Sequence, residues 1–236
     1  MSAATSLDPI QNRLLVLLPR EDYQRLLPHL QVVDFSVGQV IHKSNEQVEY
    51  FYFPHQAIVS LVSITRDGDT VEVGIVGREG MVGIQAILSG STIPTQAFAQ
   101  VPGQATRICT APLQVEFDRG GALQKLLLRY VQVLLTQVSQ TAVCNRLHLI
   151  EARLARWLLL VRDAVESDEL QLTQAFISKM LGTRRAGVTE AAGELQKAGL
   201  IRYKRGQITI VNRAGLEAAA CECYQVVRHE VDRLLC

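Results

Sequence analysis

Apolar residues along this chain recur first at a helical period, then at a strand period, then at a helical period again. Between residues 8 and 30, Ile10, Leu14 and Leu17, then Tyr23, Leu26 and Leu27, fall at helical spacing, with Pro19 and Pro28 punctuating two short helices. From Val32 to about Phe117 the period drops to two and β-branched residues become frequent. The segments 31–35, 39–42, 50–53, 57–64, 70–76, 96–100 and 105–111 read as short strands. Turn-forming residues separate them at Val37-Gly38, Arg66 to Asp69, Gly90-Ser91 and Pro102-Gly103. Many short strands at even spacing predict an antiparallel roll or barrel, not a parallel βαβ sheet.

Beyond Gly121 the helical period returns. Leu123, Leu127, Tyr130, Leu134, Val138 and Thr141 fall three or four apart, with Gln124, Lys125, Arg129, Gln132 and Gln137 between them and no proline before residue 150. One apolar seam on a long helix has two uses. It packs on the roll, or it pairs with a second copy of itself as a parallel dimer helix. A further helix over 150–165 holds the only tryptophan, Trp157, and an acidic link from Glu166 to Glu169 follows.

Residues 172–211 carry the densest pattern. Leu172-Thr173-Gln174 opens a short helix with apolar Phe176, Ile177, Met180 and Leu181. Gly182 supplies a turn, and Thr183 is placed to cap a second helix over 184–197 whose inner face is Val188, Ala191, Ala192 and Leu195. The small residues Ser178 and Ala191 let two such helices approach closely, as in a helix-turn-helix. Residues 200–210 then read as strand, glycine turn and strand, a wing.

Charge sharpens this picture. The whole chain of 236 residues carries only +1. Between Gln171 and Arg213, however, Lys179, Arg184, Arg185, Lys197, Arg202, Lys204, Arg205 and Arg213 face only Glu190 and Glu194, a local +6 that leaves −5 elsewhere. A polyanionic backbone calls for such a focused face. Arg184 and Arg185 open the second helix, where a recognition helix meets base edges, and arginine pairs bidentately with guanine. The plainer alternative is a small helical domain with solvated charges.

The remaining chemistry is sparse. With 48% hydrophobic and 20% charged residues the chain reads as globular. The start has no basic region followed by an apolar one, and the apolar stretches around 123–135 and 154–161 are interrupted by polar side chains. No membrane partner is expected. Five cysteines (Cys109, Cys144, Cys221, Cys223 and Cys236) are odd in number and lack CxxC spacing, which fits reduced thiols and a cytoplasmic setting. Cys221 and Cys223, if both helical, point roughly 200° apart, so no metal site is expected. Cys144 reads either as a small buried hydrophobe or as a thiol facing its twin across a dimer axis. The histidines (His29, His42, His55, His148 and His229) show no HxH or HExxH spacing. Glu72, Glu79 and Asp69 stand as single carboxylates with no Ser/His/Asp context, so no catalytic residue is expected.

The runs Leu154 to Leu159, Leu172-Thr173-Gln174, Gly182 to Thr189 and Leu195 to Ile201 resemble the Crp/Fnr family of dimeric bacterial regulators, and the resemblance covers nearly the whole chain. It implies an α+β protein: an N-terminal antiparallel β-roll of double-stranded jelly-roll type within a sensor domain (1–120), a long dimerisation helix (121–149) and a C-terminal winged helix-turn-helix (150–236). It further implies a homodimer that binds a near-palindromic double-stranded DNA site, works with RNA polymerase, and responds through the orientation of its two reading heads. The family's base-reading positions fall on Arg185, Ala186 and Glu190. An arginine is kept at the first and lost at the third, so the family's best-known operator is not expected, and Arg184 is read as sharing the work. The full DNA-contact set is Thr173, Thr183, Arg184, Arg185, Ala186, Thr189, Glu190, Lys204 and Arg205, the last two reaching phosphates from the wing.

The sensory half departs from that pattern. Gly80-Met81-Val82-Gly83 resembles the opening of the family's nucleotide cassette, but Ile84 stands where a ribose-binding glutamate belongs. Pro94-Thr95 stands where an Arg-Ser pair would hold the phosphate. A buried phosphodiester needs a cation or amide donors. Gly80, Met81, Val82, Gly83, Ile84, Thr95 and Gln96 therefore outline a pocket whose effector is open and is not expected to be cyclic AMP; Arg78 and Arg107 are the nearest substitutes in type. No cysteine cluster precedes Cys109, so an iron–sulfur cofactor is not expected. The competing reading is a ligand-sensing protein whose winged helix serves protein contacts only.

Overall fold

A computed structural model describes residues 11–90 and 92–235; expectations placed on Met1 to Asp8, Ile10, Ser91 and Cys236 lie outside the described residues. The described residues divide into two compact units, one built from 11–59, 76–90 and 92–131 together with Leu235, the other from Ser60–Ile75 and Gln132–Leu234.

The first unit opens with α1 (Arg13–Val16) and α2 (Arg20–Leu26), with Pro19 just before α2 and Pro28 inside a 3-10 turn, Leu27–His29. Asn12 ties this corner together. Its side chain accepts from the Leu14 amide and donates to the carbonyls of Pro54 and Gly80, each at 2.9 Å. The strands that follow along the chain are β1 (Gln31–Phe35), β2 (Val40–His42), β3 (Tyr50–Pro54), β4 (Ile58–Ile64), β5 (Thr70–Val76), β6 (Gln96–Val101) and β7 (Gly103–Cys109), of which most of β4 and β5 fall in the second unit. They form one sheet in the order β1-β7-β3 and another in the order β2-β6-β4-β5. In the first sheet β7 pairs antiparallel with both neighbours, matching Gln31 with Arg107 and Phe51 with Ile108. The period of two has its expected consequence on β3, where Phe51 and Phe53 are buried while Tyr50 and Tyr52 are half-buried.

Three short elements were not foreseen. Between β5 and β6 lies α3 (Ile84–Ser89), six residues with no amphipathic repeat to mark it. The expected strand over 105–111 gives way at Thr110 to α4 (Thr110–Asp118), where Pro112 sits in the first turn, a place that tolerates its missing N–H. At the end of the acidic link begins β8 (Glu169–Gln171), whose partner is a strand nearly forty residues downstream.

The long helix α5 runs Ala122–Leu147, 26 residues or roughly 39 Å. Its apolar seam does not face outward. Leu123, Leu127, Tyr130 and Leu134 are all buried within the chain, as is Thr141, so of the residues expected to line a dimer contact only Val138 is exposed. The Tyr130 hydroxyl donates to the Met81 carbonyl at 3.1 Å in the first unit. In the second unit Gln137, which the periodicity placed among solvent-facing residues, is buried. Its amide accepts from Ile75 N at 2.8 Å and donates to Ile75 O, completing the free edge of β5. The outward face instead carries Leu128, Val131, Leu135, Val138 and Ala142, spaced alternately three and four apart.

The second unit continues with α6 (Ile150–Val165), β8, α7 (Gln174–Met180), α8 (Arg185–Lys197), β9 (Ile201–Lys204), β10 (Gln207–Ile210), α9 (Arg213–Ala219) and α10 (Cys223–Leu235). Its small sheet has the order β8-β10-β9. Helix α6 is its spine. Trp157 is buried and donates from Nε1 to Glu72 on β5 at 2.7 Å, while Arg153 binds the Leu181 carbonyl and the Asn145 side chain. Burial pushes the Glu72 carboxyl up to about 7, against hydrogen bonds from Ser60 and Trp157 and the charge of Arg156.

Candidate nucleic-acid interface

The helix-turn-helix is α7, a turn through Gly182, and α8. Thr173 caps α7, its hydroxyl accepting from the Phe176 amide at 3.2 Å. Helix α8 begins one residue later than the sequence suggested. Arg184, not Thr183, occupies the cap position and makes no side-chain cap bond; Thr183 lies in the turn, its amide donating to the Ser178 carbonyl. Val188, Ala191, Ala192 and Leu195 are buried as the spacing required. Burying that stripe turns Arg185, Ala186, Thr189 and Glu190 outward, and all four are exposed.

The wing is a tight hairpin. Lys204 pairs with Gln207, and the two residues between them, Arg205 and Gly206, both adopt positive φ, 51° and 80°. This is the two-residue turn that matches strand twist; an arginine there accepts left-handed strain, commonly about 1–2 kcal/mol, to stand at the tip. Thr173, Gln174, Arg185, Tyr203, Arg205 and Gly206 line one groove, so the start of α7, the start of α8 and the wing share a face. Two of these residues were not expected. Gln174 accepts a hydrogen bond from Thr189 at 3.1 Å, and Tyr203 donates to the Leu172 carbonyl at 2.9 Å. An aromatic residue inside a basic wing was the visible sign for the second; nothing local marked the first.

The eight basic residues divide by what they touch. Lys197 is paired with Glu194 at 2.6 Å, and Arg213 with Asp163 and Glu217 at 3.0 and 2.9 Å. These two serve the fold. Among the described residues Lys179, Arg184, Arg185, Arg202, Lys204 and Arg205 are in no salt bridge, and all six are exposed. Unpaired cations around a helix N-terminus and a wing are suited to a phosphate backbone.

The cassette in the first unit has another character. Met81, Val82 and Ile84 are almost wholly buried, and Ile84 opens α3 with no carboxylate beside it. Gly83 has φ 96°, and a Cβ there would fall 2.9 Å from the Phe51 ring, so the turn into α3 admits only glycine without strain. At Gly80 a Cβ would fall 2.6 Å from the Tyr130 hydroxyl. Thr95 and Gln96 are half-buried, and the Thr95 hydroxyl is buried without a hydrogen-bond partner. Arg107 is already engaged on β7: it donates to Gln31 and lies over the Tyr50 ring at 4.5 Å.

One grouping was not foreseen from the cysteine and histidine spacings. The donor atoms of Cys144, His148, Cys221 and Cys223 lie within 4.8 Å of one another. The helical spacing used for the last two does not apply, because α9 ends at Ala219, the chain bends at Ala220, and α10 begins only at Cys223. Cys144 is fully buried in this cluster and is not open to a twin across an axis.

Comparison with known proteins identifies both halves. Residues 32–115 match a cyclic nucleotide-binding domain and residues 152–219 a Crp-like helix-turn-helix domain. The chain is 24% identical over 199 residues to the global nitrogen regulator of Synechococcus elongatus, covering 79% of this chain and 88% of that one. It is 23% identical over 193 residues to the fumarate and nitrate reduction regulatory protein of Salmonella typhimurium, covering 78% and 76%. Among solved structures, FixK2 from Bradyrhizobium japonicum superposes with a TM-score of 0.70 at 17% identity, covering 81% of this chain and 98% of that one. Among the described residues no helix is long and apolar enough to cross a membrane.

Proposed function

The chain belongs to the Crp/Fnr family of transcriptional regulators, a family of DNA-binding proteins and not of enzymes, and on that premise we propose that it works as a homodimer reading a near-palindromic operator in the cytoplasm. The observation that carries the reading is the face shared by α7, α8 and the wing, where Arg185 and Arg205 line one groove and, among the described residues, are in no salt bridge. In this reading Arg185, with Arg184 beside it, reads base edges in the major groove. Thr173, Thr183 and Thr189 lie along the same approach, Gln174 joins them, Ala186 leaves room for a thymine methyl, and Glu190 accepts from cytosine. Lys204 and Arg205 hold phosphates from the wing.

Dimerisation uses the outward stripe of α5. Leu128, Leu135 and Val138 are 46%, 56% and 37% exposed, and with Val131 and Ala142 they form the alternating three–four repeat of a two-stranded coiled coil. Two copies joined there carry two recognition helices to successive major grooves, with half-sites about 34 Å apart. RNA polymerase is the partner through which such a bound dimer acts on transcription. The roll senses something other than cyclic AMP bound in the usual way; this is supported by the sequence, where buried Ile84 stands at the position of the family's ribose-binding glutamate and Pro94-Thr95 at that of its Arg-Ser pair.

Selection of bound duplexes from a random DNA pool, at two salt concentrations, tests this. A palindrome with half-sites one helical turn apart, and affinity falling steeply with salt, is the expected result. Salt-insensitive binding, or recovery of no motif with and without cell extract, would leave the wing to protein contacts and overturn the reading.

A further inference from the structure

We propose that Cys144, His148, Cys221 and Cys223 form a closed site for a single zinc ion, which fastens the C-terminal helix to the end of α5. Cys144 and His148 are four residues apart, and the His148 amide still donates to the Cys144 carbonyl at 3.2 Å, so both side chains leave the same side of the chain. Cys221 and Cys223 flank the turn at Glu222 that leads into α10, where the Tyr224 amide donates to the Cys221 carbonyl, and that turn brings both thiols toward the α5 pair.

The separations are those of a coordination tetrahedron. Cys144 Sγ and Cys221 Sγ are 3.5 Å apart, and Cys223 Sγ and His148 Nδ1 are 3.6 Å apart. A zinc ion with bonds of about 2.3 Å to sulfur has sulfur–sulfur edges of about 3.8 Å. With all donor atoms inside 4.8 Å, the space suits one ion and not a cluster of several irons. Three thiolates and an imidazole are soft and borderline donors, which select zinc over magnesium or calcium.

The surroundings fit as well. His148 Nε2 lies 3.2 Å from Glu222 Oε1, so the carboxylate can hold the proton on that nitrogen and leave Nδ1 free to bind metal. Three thiolates around Zn²⁺ leave one net negative charge. Arg156 is buried, its charge acts on both Cys144 and Cys223, and its Nε and Nη1 atoms have no hydrogen-bond partner. The same guanidinium also acts on Glu72, and its charge offsets the net negative charge of the filled site.

The test uses the full chain, purified under reductant without a metal-affinity step, with metals measured by plasma mass spectrometry. About one zinc per chain is expected, and replacement by Co²⁺ should give the intense visible bands of a tetrahedral cobalt–thiolate centre. His148→Ala and Cys223→Ser should lose most of the bound metal, whereas Cys109→Ser, at an exposed cysteine outside the cluster, should keep it. A strong chelator should lower the melting temperature of the parent chain and leave that of Cys223→Ser unmoved. Protein without zinc or cobalt uptake whose thiols all titrate as free would overturn the proposal. So would iron in place of zinc, or a Cys144–Cys221 disulfide in protein purified under reductant. The metal content and cobalt spectrum of the parent chain decide the matter even if a variant fails to fold.

Discussion

In the reading head, Arg184, Arg185, Lys204 and Arg205 are exposed and, among the described residues, in no salt bridge, whereas in the cassette of the roll Met81, Val82 and Ile84 are each about 1% exposed. Both regions belong to domain types whose ligands carry phosphate. A surface that meets a polyanion can leave its cations hydrated until the partner arrives, at little cost to the fold. A pocket that encloses a phosphodiester must supply its cation and donors in advance, because burying that charge uncompensated is prohibitive. Here the reading head presents exposed cations, and the cassette residues Met81, Val82 and Ile84 are packed as hydrocarbon. The contrast separates what this regulator reads from what it senses.

The largest effect should come from the α5 stripe, the proposed dimer contact. Leu135→Glu should give monomers by light scattering and weaken binding to a palindromic site on the order of a hundredfold or more, with the melting temperature little changed because Leu135 is exposed. Unchanged dimer mass would place the contact elsewhere. Next, Glu72 offers a buried charge to set against the free ones. Its folded-state value is raised to about 7 from an ordinary 4.5, so its contribution to stability is fully present below about pH 4.5 and is lost as pH rises through about 7. Glu72→Gln should remove that loss, on the order of 3 kcal/mol across the window. A parent-minus-variant difference in stability that stays flat with pH would refute the assignment.

Within the reading head itself, Arg185→Ala should cost about 1–3 kcal/mol on the selected operator, or roughly 5- to 150-fold, and little on random DNA. Lys204→Ala should instead weaken binding to every sequence alike and reduce the logarithmic salt slope by about 1. Equal effects of the two on all duplexes would erase the distinction between base and phosphate contacts. Smallest of all, cyclic AMP should leave operator affinity unchanged; tighter binding in its presence would show the cassette to be competent after all.

Much of the architecture was legible because it follows from local rules. Strands β1 and β5 and helix α6 stand where periodicity put them, and the buried stripe Val188, Ala191, Ala192 and Leu195 follows directly from helical spacing. The same stripe dictates which residues of α8 face outward, so the base-reading candidates were fixed by neighbours three or four positions away. Helix α3 and strand β8 were missed because six and three residues are too short to show a period, and β8 exists only through pairing with β10.

Amphipathic spacing determined that α5 is a helix with an apolar seam, but the chain alone left open whether that seam met the rest of the fold or a second copy. Tertiary packing decided it, by seating Tyr130 against Met81 and Gln137 against the edge of β5 and so leaving a different stripe outside. The cysteine cluster was decided in the same way. Cys144 and Cys221 are 77 residues apart, and no spacing rule connects them. Hydrogen-bond ladders and helical faces are written in neighbouring residues, whereas a site assembled from distant segments exists only once burial has brought those segments together.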